Sequence, residues 1–405
     1  MKQKKNMTIK GKGLRVILIL ISLGIFSCTN LDEQSENDSY TIIHLTNLND
    51  LEELRLSKFI NDVKIIPLEF NKSCIIGKIK KIEFFENRIF IQDELNNESI
   101  LMFDFSGHFI KNIGFSGRGP KEHIDLTDFS VDENNKNLVI YDNGSRKFIK
   151  YDLNGDFIGE INSKFSADNF EVNDNFYYLF RDNPSIEVEH SLVVEDKTGE
   201  IEERYFETNL DIGSRIRDNI FSKYNKEMII TRPYNDTVYS HRPKLLNKKY
   251  YVNFGENKIR TEDLKTILKN PTQANDILIK NKYATGIKNF MEQKNIVYFS
   301  FTYNSIQYSC FYNKKSKEVF FNYSLLNDIN YIFFPSPIFI KDNILLSVFD
   351  PSLIPNNIDY IENLIKDKTI SSTDSKISEN LKILTDLKSR GLENNNPILL
   401  WATLK

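Results

Sequence analysis

The chain has 405 residues, a formal net charge of -3 and 12% aromatic residues, with 30 Phe, 19 Tyr and a single Trp. That is ample material for one large core or two ordinary ones, and flat side chains at this density suit pleated, half-buried strands better than a helical bundle. Six of the Lys and Arg residues precede Cys28 with no acid among them, so the rest of the chain carries -9, which excludes the basic footprint of a nucleic-acid binder.

The N-terminus reads as an export signal. Lys2, Lys4, Lys5, Lys10, Lys12 and Arg15 precede an apolar run from Val16 to Phe26, too short to span a bilayer comfortably and right for a signal core. It ends at Gly24-Ile-Phe-Ser-Cys28, which resembles a bacterial lipobox. The resemblance implies a signal peptide over 1–27, diacylglycerol on the Cys28 thiol and attachment to a membrane through that lipid. Residues 28–45 open polar and acidic without periodicity and are expected to form a disordered tether, with strand patterning beginning at about Tyr40. The acidic run after Cys28 also resembles a surface-export signal of Bacteroidetes lipoproteins. Cys74 and Cys310 sit in apolar contexts and read as buried small hydrophobes rather than a disulfide.

Residues 46–405 carry a repeat. Arg88-Ile-Phe-Ile-Gln-Asp93 followed by Ile100-Leu-Met-Phe-Asp-Phe-Ser-Gly-His-Phe-Ile110 returns as Leu138-Val-Ile-Tyr-Asp142 followed by Phe148-Ile-Lys-Tyr-Asp-Leu-Asn-Gly-Asp-Phe-Ile158. Short strands and tight turns at a period near 48 are the signature of propeller blades. The clearer copy predicts strands at 129–131, 138–141, 148–151 and 157–160, the last two joined by a type I′ hairpin at Asn154-Gly155. Degraded copies follow, with strands at 176–180 and 191–196, 228–231 and 237–239, 296–300 and 308–312, then 331–334, 338–340 and 344–348. The expected fold is all-β, a six-bladed β-propeller of four-stranded antiparallel blades. Short helical insertions are expected near 261–293 and 375–390, the second from Ile377, Leu381, Leu384 and Leu387 with Gly391 as its stop. The closing strand, Asn396 to Lys405, is expected to complete a blade with residues 60–68, because an open sheet edge invites aggregation.

Five segments then occur in order: Ile65-Ile-Pro-Leu-Glu69, Gly114-Phe-Ser-Gly-Arg-Gly-Pro-Lys-Glu122, Asn235-Asp-Thr-Val-Tyr239, Val252-Asn-Phe-Gly255 and Asn396-Pro-Ile-Leu. Together they resemble the six-bladed β-propeller lipoproteins of Bacteroidetes, with NHL-like blades. The resemblance implies the fold and an outer-membrane, lipid-anchored location, and little chemistry. Lys121 and His123 depart from the usual continuation of the Gly-Arg-Gly-Pro loop.

In such a ring, the loops entering each innermost strand share one face with those joining the second and third strands. That face collects Arg118, Glu122 and His123, Asp93, Asp142 and Arg146, Arg181 and Asp182, and Arg232 and Asp236. Planar guanidinium forks among carboxylates suit an acidic or sugar ligand. The competing reading is that Asp93 and Asp142 cap turns while Arg–Asp pairs hold blades together. The lysine clusters at Lys78, Lys80, Lys81 and at Lys314, Lys315, Lys317 read as solvated turns and strand edges. Asp152-Leu-Asn-Gly-Asp156 resembles the start of a calcium loop but lacks the Glu at its twelfth position. The five histidines are scattered, and neither a catalytic constellation nor a cofactor is indicated. The leading functional reading is a cell-envelope binding or scaffolding module for a protein, peptide or glycan. The rivals are a metal-dependent NHL-like hydrolase or lyase acting at the channel mouth, and a structural partner of an outer-membrane transport complex.

Overall fold

The computed structural model describes residues 40–45, 47–49, 51–96, 98–181, 189–207 and 219–405. The signal segment, Cys28, the first part of the tether and Asp182 lie outside them.

The described chain is mostly β, organised around six successive sheets in a propeller-like arrangement, each built on four antiparallel strands, with a fifth, parallel strand added to the fourth sheet. The first sheet is Ile79–Phe85, Arg88–Asp93, Ile100–Asp104 and Phe109–Ile113. The second is Leu126–Asp132, Asn137–Asp142, Lys147–Asp152 and Phe157–Asn162, and the third Asn169–Asn173, Phe176–Phe180, His190–Asp196 and Ile201–Glu207. The fourth is Phe221–Tyr224, Glu227–Ile230, Thr237–Arg242 and Leu245–Asn253; the fifth Ala284–Glu292, Ile296–Tyr303, Ile306–Asn313 and Val319–Asn322. The sixth joins both ends of the chain: Phe339–Lys341, Ile344–Phe349 and Ile398–Leu404, then Ile60–Pro67 antiparallel to the last of these. The expected pairing of the closing strand therefore occurs, with Leu400 opposite Ile65.

Packing repeats with the sheets. Six apolar clusters each bridge two consecutive sheets, and one of them joins the sixth sheet (Leu346, Leu399, Ile66) to the first (Ile82, Ile91, Phe103). Aromatic rings fill these seams at stacking distances, as with Phe148 and Tyr177 at 4.0 Å and Phe84 and Trp401 at 4.7 Å.

The tight turns differ from expectation in an instructive way. At Asn154-Gly155 only Gly155 has positive φ, and a register shift follows at Tyr151, so this is a type I turn closed by a bulge rather than a type I′ hairpin. The same device closes the first and third sheets at Gly107 and Gly199. In each, the Asp opening the turn accepts two backbone N–H groups; Asp152 accepts those of Asn154 (2.9 Å) and Asp156 (2.8 Å). The calcium-like sequence at Asp152 is this turn. Two-residue turns with both residues at positive φ lie instead after the first strands, at Glu86-Asn87, Asn225-Lys226 and Asp342-Asn343, and after the second strand of the fifth sheet, at Asn304-Ser305. Gly107 is required twice over. Its φ is +86°, and a Cβ there would stand 2.2 Å from the Pro67 carbonyl oxygen. Gly107→Ala is expected to cost about 1–3 kcal/mol of stability, read as a lower urea midpoint at unchanged slope.

Several elements correct the expectations. The tether was expected to run to residue 45, but Thr41–His44 form a strand parallel to Tyr250–Asn253, with Ile43 buried. The helix-like stretch at 261–293 resolves into α1 (Thr261–Lys269) and α2 (Ala274–Lys280), after which Ala284–Glu292 is a strand. Tyr331–Phe334 is irregular, although Ile332 and Phe334 are buried; Pro335 and Pro337 follow and cannot donate to a ladder. An unanticipated helix, α3 (Ile354–Lys366), precedes the expected α4 (Ser375–Ser389), whose N-terminus Asp374 caps by accepting from Lys376 and Ile377. Both helices pack on the seam between the fifth and sixth sheets.

Candidate functional site

The first strand of every sheet lines one cavity of about 370 Å³. It opens where those strands turn into their second strands. The loops of the expected candidate face enter the same strands from the opposite end, so this cavity lies at the other mouth.

The floor of this cavity is a buried charge network. Lys81 Nζ lies 3.1 Å from Glu171 Oε2, 3.2 Å from Asp128 Oδ1 and 3.2 Å from the Phe170 carbonyl oxygen. Lys223 Nζ lies 3.0 Å from the other Glu171 oxygen and donates to the Val131 carbonyl at 3.3 Å. The Ser130 hydroxyl donates to Glu171 and accepts the Val172 N–H, and Asp128 accepts the N–H groups of Phe129 and Phe170. Glu83 accepts the Val131 N–H through Oε2, while its Oε1 has no hydrogen-bond partner and stands 3.5 Å from Lys81, an ion-pair separation only. Four sheets thus meet through five ionisable side chains. At the rim, Lys341 of the sixth sheet donates to the Phe84 carbonyl of the first (2.9 Å) and pairs with Glu133 of the second (2.7 Å).

The electrostatics follow from this geometry. Burial disfavours the charge on both lysines, but Asp128, Glu171 and Glu83 outweigh it for Lys81, and Glu171 and Glu83 for Lys223, so both are raised and stay protonated. Glu171 is buried too, yet the charges of Lys223 and Lys81 hold it below the ordinary carboxylate range. For Glu83 burial prevails, reinforced by the Glu171 charge, and its carboxyl is pushed up.

The expected face looks different. Asp142 is fully buried and accepts the N–H groups of Ile124 (3.0 Å), Asp125 (2.9 Å) and Gly144 (2.9 Å) together with the Ser145 hydroxyl. Asp93 does the same for Gly77, Lys78 and Leu95. Both tie the loop after their own strand to the loop entering the sheet. Glu122 caps the Gly119 N–H at 2.7 Å, and a Cβ on Gly117 would collide with its carboxylate, so the glycines of Gly-Arg-Gly-Pro make room for this contact. His123 is buried, its Nε2 3.0 Å from the Glu98 carbonyl oxygen, and burial lowers its pKa. Arg181 is buried against Ser166 and Asp168, and Arg232 lies over the Phe206 ring at 4.5 Å. Asp236 sits 3.6 Å from Lys258, and burial pushes its carboxyl up to about 6. Arg118 and Arg146 are exposed. The structure brings Glu122, His123 and Asp142 into one loop cluster. None of the eight candidates lines the cavity.

Asp142 yields a pH prediction. Burial pushes its carboxyl up, but the Ser145 hydroxyl and the loop N–H groups outweigh it, so it titrates below the usual range. A depressed carboxylate stabilises the fold above its unfolded pKa of about 3.9, and that contribution disappears as pH falls through the lower folded value. Asp142→Asn is expected to cost about 1–3 kcal/mol at pH 7, and the loss should shrink towards pH 2 in urea melts.

Lys81, one of the lysines expected to be solvated, is the centre of the buried network, and Lys314 pairs with buried Glu292 at 2.6 Å. The available signal was position: Lys81 and Glu83 alternate within a first strand, beside the channel that the blade repeat itself predicts. Among the described residues no group of three or more His, Cys, Asp or Glu is placed to hold a metal ion, and no helix is long and apolar enough to cross a membrane. Cys74 and Cys310 are buried and unpaired.

Among solved structures, the fold is similar to an exported protein from Bacteroides fragilis NCTC 9343, with TM-score 0.68 and 19% identity over 90% of this chain and 100% of that one. A member of the DUF4221 family from Bacteroides vulgatus ATCC 8482 is more distant, at TM-score 0.48 and 13% identity over 85% and 98%. No curated protein matches the sequence. A family described as "Domain of unknown function (DUF4934)" matches residues 40–403, and the chain belongs to that family.

Proposed function

We propose that the six sheets are the blades of a closed six-bladed, NHL-like β-propeller, and that this propeller is a binding or scaffolding module of the cell envelope. Its partner is a protein, peptide or glycan. The observation that carries this reading is the single cavity lined by the first strands of all six sheets over a floor of paired charges. Closure is supported by the apolar seam between the sixth and first sheets and by Lys341 bridging their inner strands. Anchorage at the outer membrane through lipid on Cys28 rests on the lipobox-like sequence. Export is supported by the similarly folded Bacteroides fragilis protein, named as exported. The opposite rim, where Arg118 and Arg146 are exposed beside the apolar Phe115 and Ile124, is a second contact face for the same partner.

The test is a peptide and glycan array probed with the protein and two variants, Lys226→Glu at the cavity mouth and Arg118→Glu on the opposite rim. A ligand whose binding changes with Lys226→Glu, weakened if it is anionic and strengthened if it is cationic, places recognition at the cavity. One changed only with Arg118→Glu moves it to the other rim, and one indifferent to both overturns the reading.

A further inference from the structure

We infer that the cavity binds an ammonium or guanidinium group, from a lysine or arginine side chain of a peptide or from a free polyamine, with the Glu83 carboxylate as its anchor. This rests on the reading of the cavity as the binding site and names the chemistry it selects.

Two independent observations point the same way. The first is charge: the lining carries six carboxylates against four lysines. The lysines at the floor are already engaged. Lys81 faces Glu171, Asp128 and the Phe170 carbonyl, and Lys223 faces Glu171, Ser130 and the Val131 carbonyl, so neither has a proton left to hold an anion. Lys341 is committed to Phe84 and Glu133. The second is an orphaned acceptor. Glu83 is 5% exposed and lines the cavity, and its Oε1 lacks a donor; the Ser222 hydroxyl, which lines the same space, is also unpartnered. Buried polar atoms are normally satisfied, and a buried carboxylate needs a positive partner more than a neutral one. What the site lacks is therefore a donor that carries positive charge. The groups facing Glu83 are Lys81 on its own strand, Asp128 and Glu171 on the strands of the second and third sheets, and Lys223 on the fourth. They balance one another, which leaves the Glu83 charge uncompensated, and its raised pKa is the expected consequence.

The experiment is titration calorimetry on the full chain in detergent. The probes are 1,5-diaminopentane and acetyl-Gly-Lys-Gly-amide, with the norleucine peptide in place of lysine as control. Saturable one-to-one binding of at least one ammonium probe is expected, weakened at least tenfold by Glu83→Gln and absent with norleucine. Binding of the diamine alone identifies a free polyamine as the source; binding of the peptide identifies a protein partner. Glu83→Gln keeps the side-chain volume and removes a disfavoured charge, so its melting temperature is expected to equal or exceed that of the parent, which separates loss of binding from loss of fold. No saturable binding by cooperatively melting protein, or binding indifferent to Glu83→Gln, overturns the inference. If the array instead yields an uncharged ligand sensitive to Lys226→Glu, the cavity reading stands and the cation inference falls.

Discussion

Lys81→Met is expected to remove about 3–5 kcal/mol of folding stability, measured by urea denaturation at pH 7. The size follows from what remains. Without the ammonium, Glu171 keeps Lys223, but Asp128 loses its cation and Glu83 faces two like charges in a site that excludes most water. The wild-type network already contains one unfavourable member. Glu83 binds its proton more tightly folded than unfolded, so its contribution to stability falls as pH rises between the ordinary carboxylate range and its raised folded value. In Lys81→Met that loss is expected to deepen. Lowering the pH should therefore restore part of the stability of the variant, and adding Glu83→Gln should restore part of it at pH 7. A loss below 1 kcal/mol would mean that water screens the cluster and that the cavity is wetter than its burial implies.

Removing the closing strand is expected to be more damaging still. A chain ending at Asn395 leaves Ile344–Phe349 and Ile60–Pro67 without the strand that lies between them, and strips Leu399 and Leu400 from the two seams on either side. Such a chain is expected to show no cooperative thermal transition and to accumulate as aggregate, because the sides of Ile344–Phe349 and Ile60–Pro67 that pair with the closing strand in the parent become exposed and unpaired. The graded version is Asn396→Ala. Its amide donates to the carbonyls of Glu69 (2.6 Å) and Cys74 (2.6 Å) and accepts the Ile76 N–H (2.8 Å), holding the loop from the sixth sheet to the first. Each group left unsatisfied costs about 1–3 kcal/mol, so a total loss of several kcal/mol is expected from one side chain. A normal melt for Asn396→Ala would show that solvent reaches this loop.

The same reasoning explains segments that carry the resemblance in sequence. Asn396 opens the closing motif because it carries this loop. Glu122 ends the glycine-rich motif because it caps Gly119. Asn235 opens its own segment by accepting the Thr237 N–H at 2.8 Å, and Asn253 accepts that of Gly255 at 3.0 Å. These are local, short-range jobs, and residues chosen for them leave a readable trace.

Sequence by itself determined what depends on near neighbours along the chain. The strands follow from alternation, the turns at Gly107 and Gly155 from the need for positive φ, α4 from apolar spacing ahead of its Gly391 stop, and the pairing of 398–404 with 60–67 from the requirement that a sheet edge be covered. Where local signals were mixed the reading failed. α3 carries Ile354, Ile358, Ile361 and Ile365 at helical spacing, yet it begins among Pro351 and Pro355, which also signal a loop. What only the tertiary structure decided is which charges are buried. Lys81, Glu83, Asp128, Glu171 and Lys223 span 142 positions of sequence, and each alone looks like an ordinary polar residue in a strand. Bringing the first strands of successive sheets together around the cavity places these side chains within ion-pair distance and removes their water. The energy of that site is a property of the assembled sheets, and no single stretch of the chain contains it.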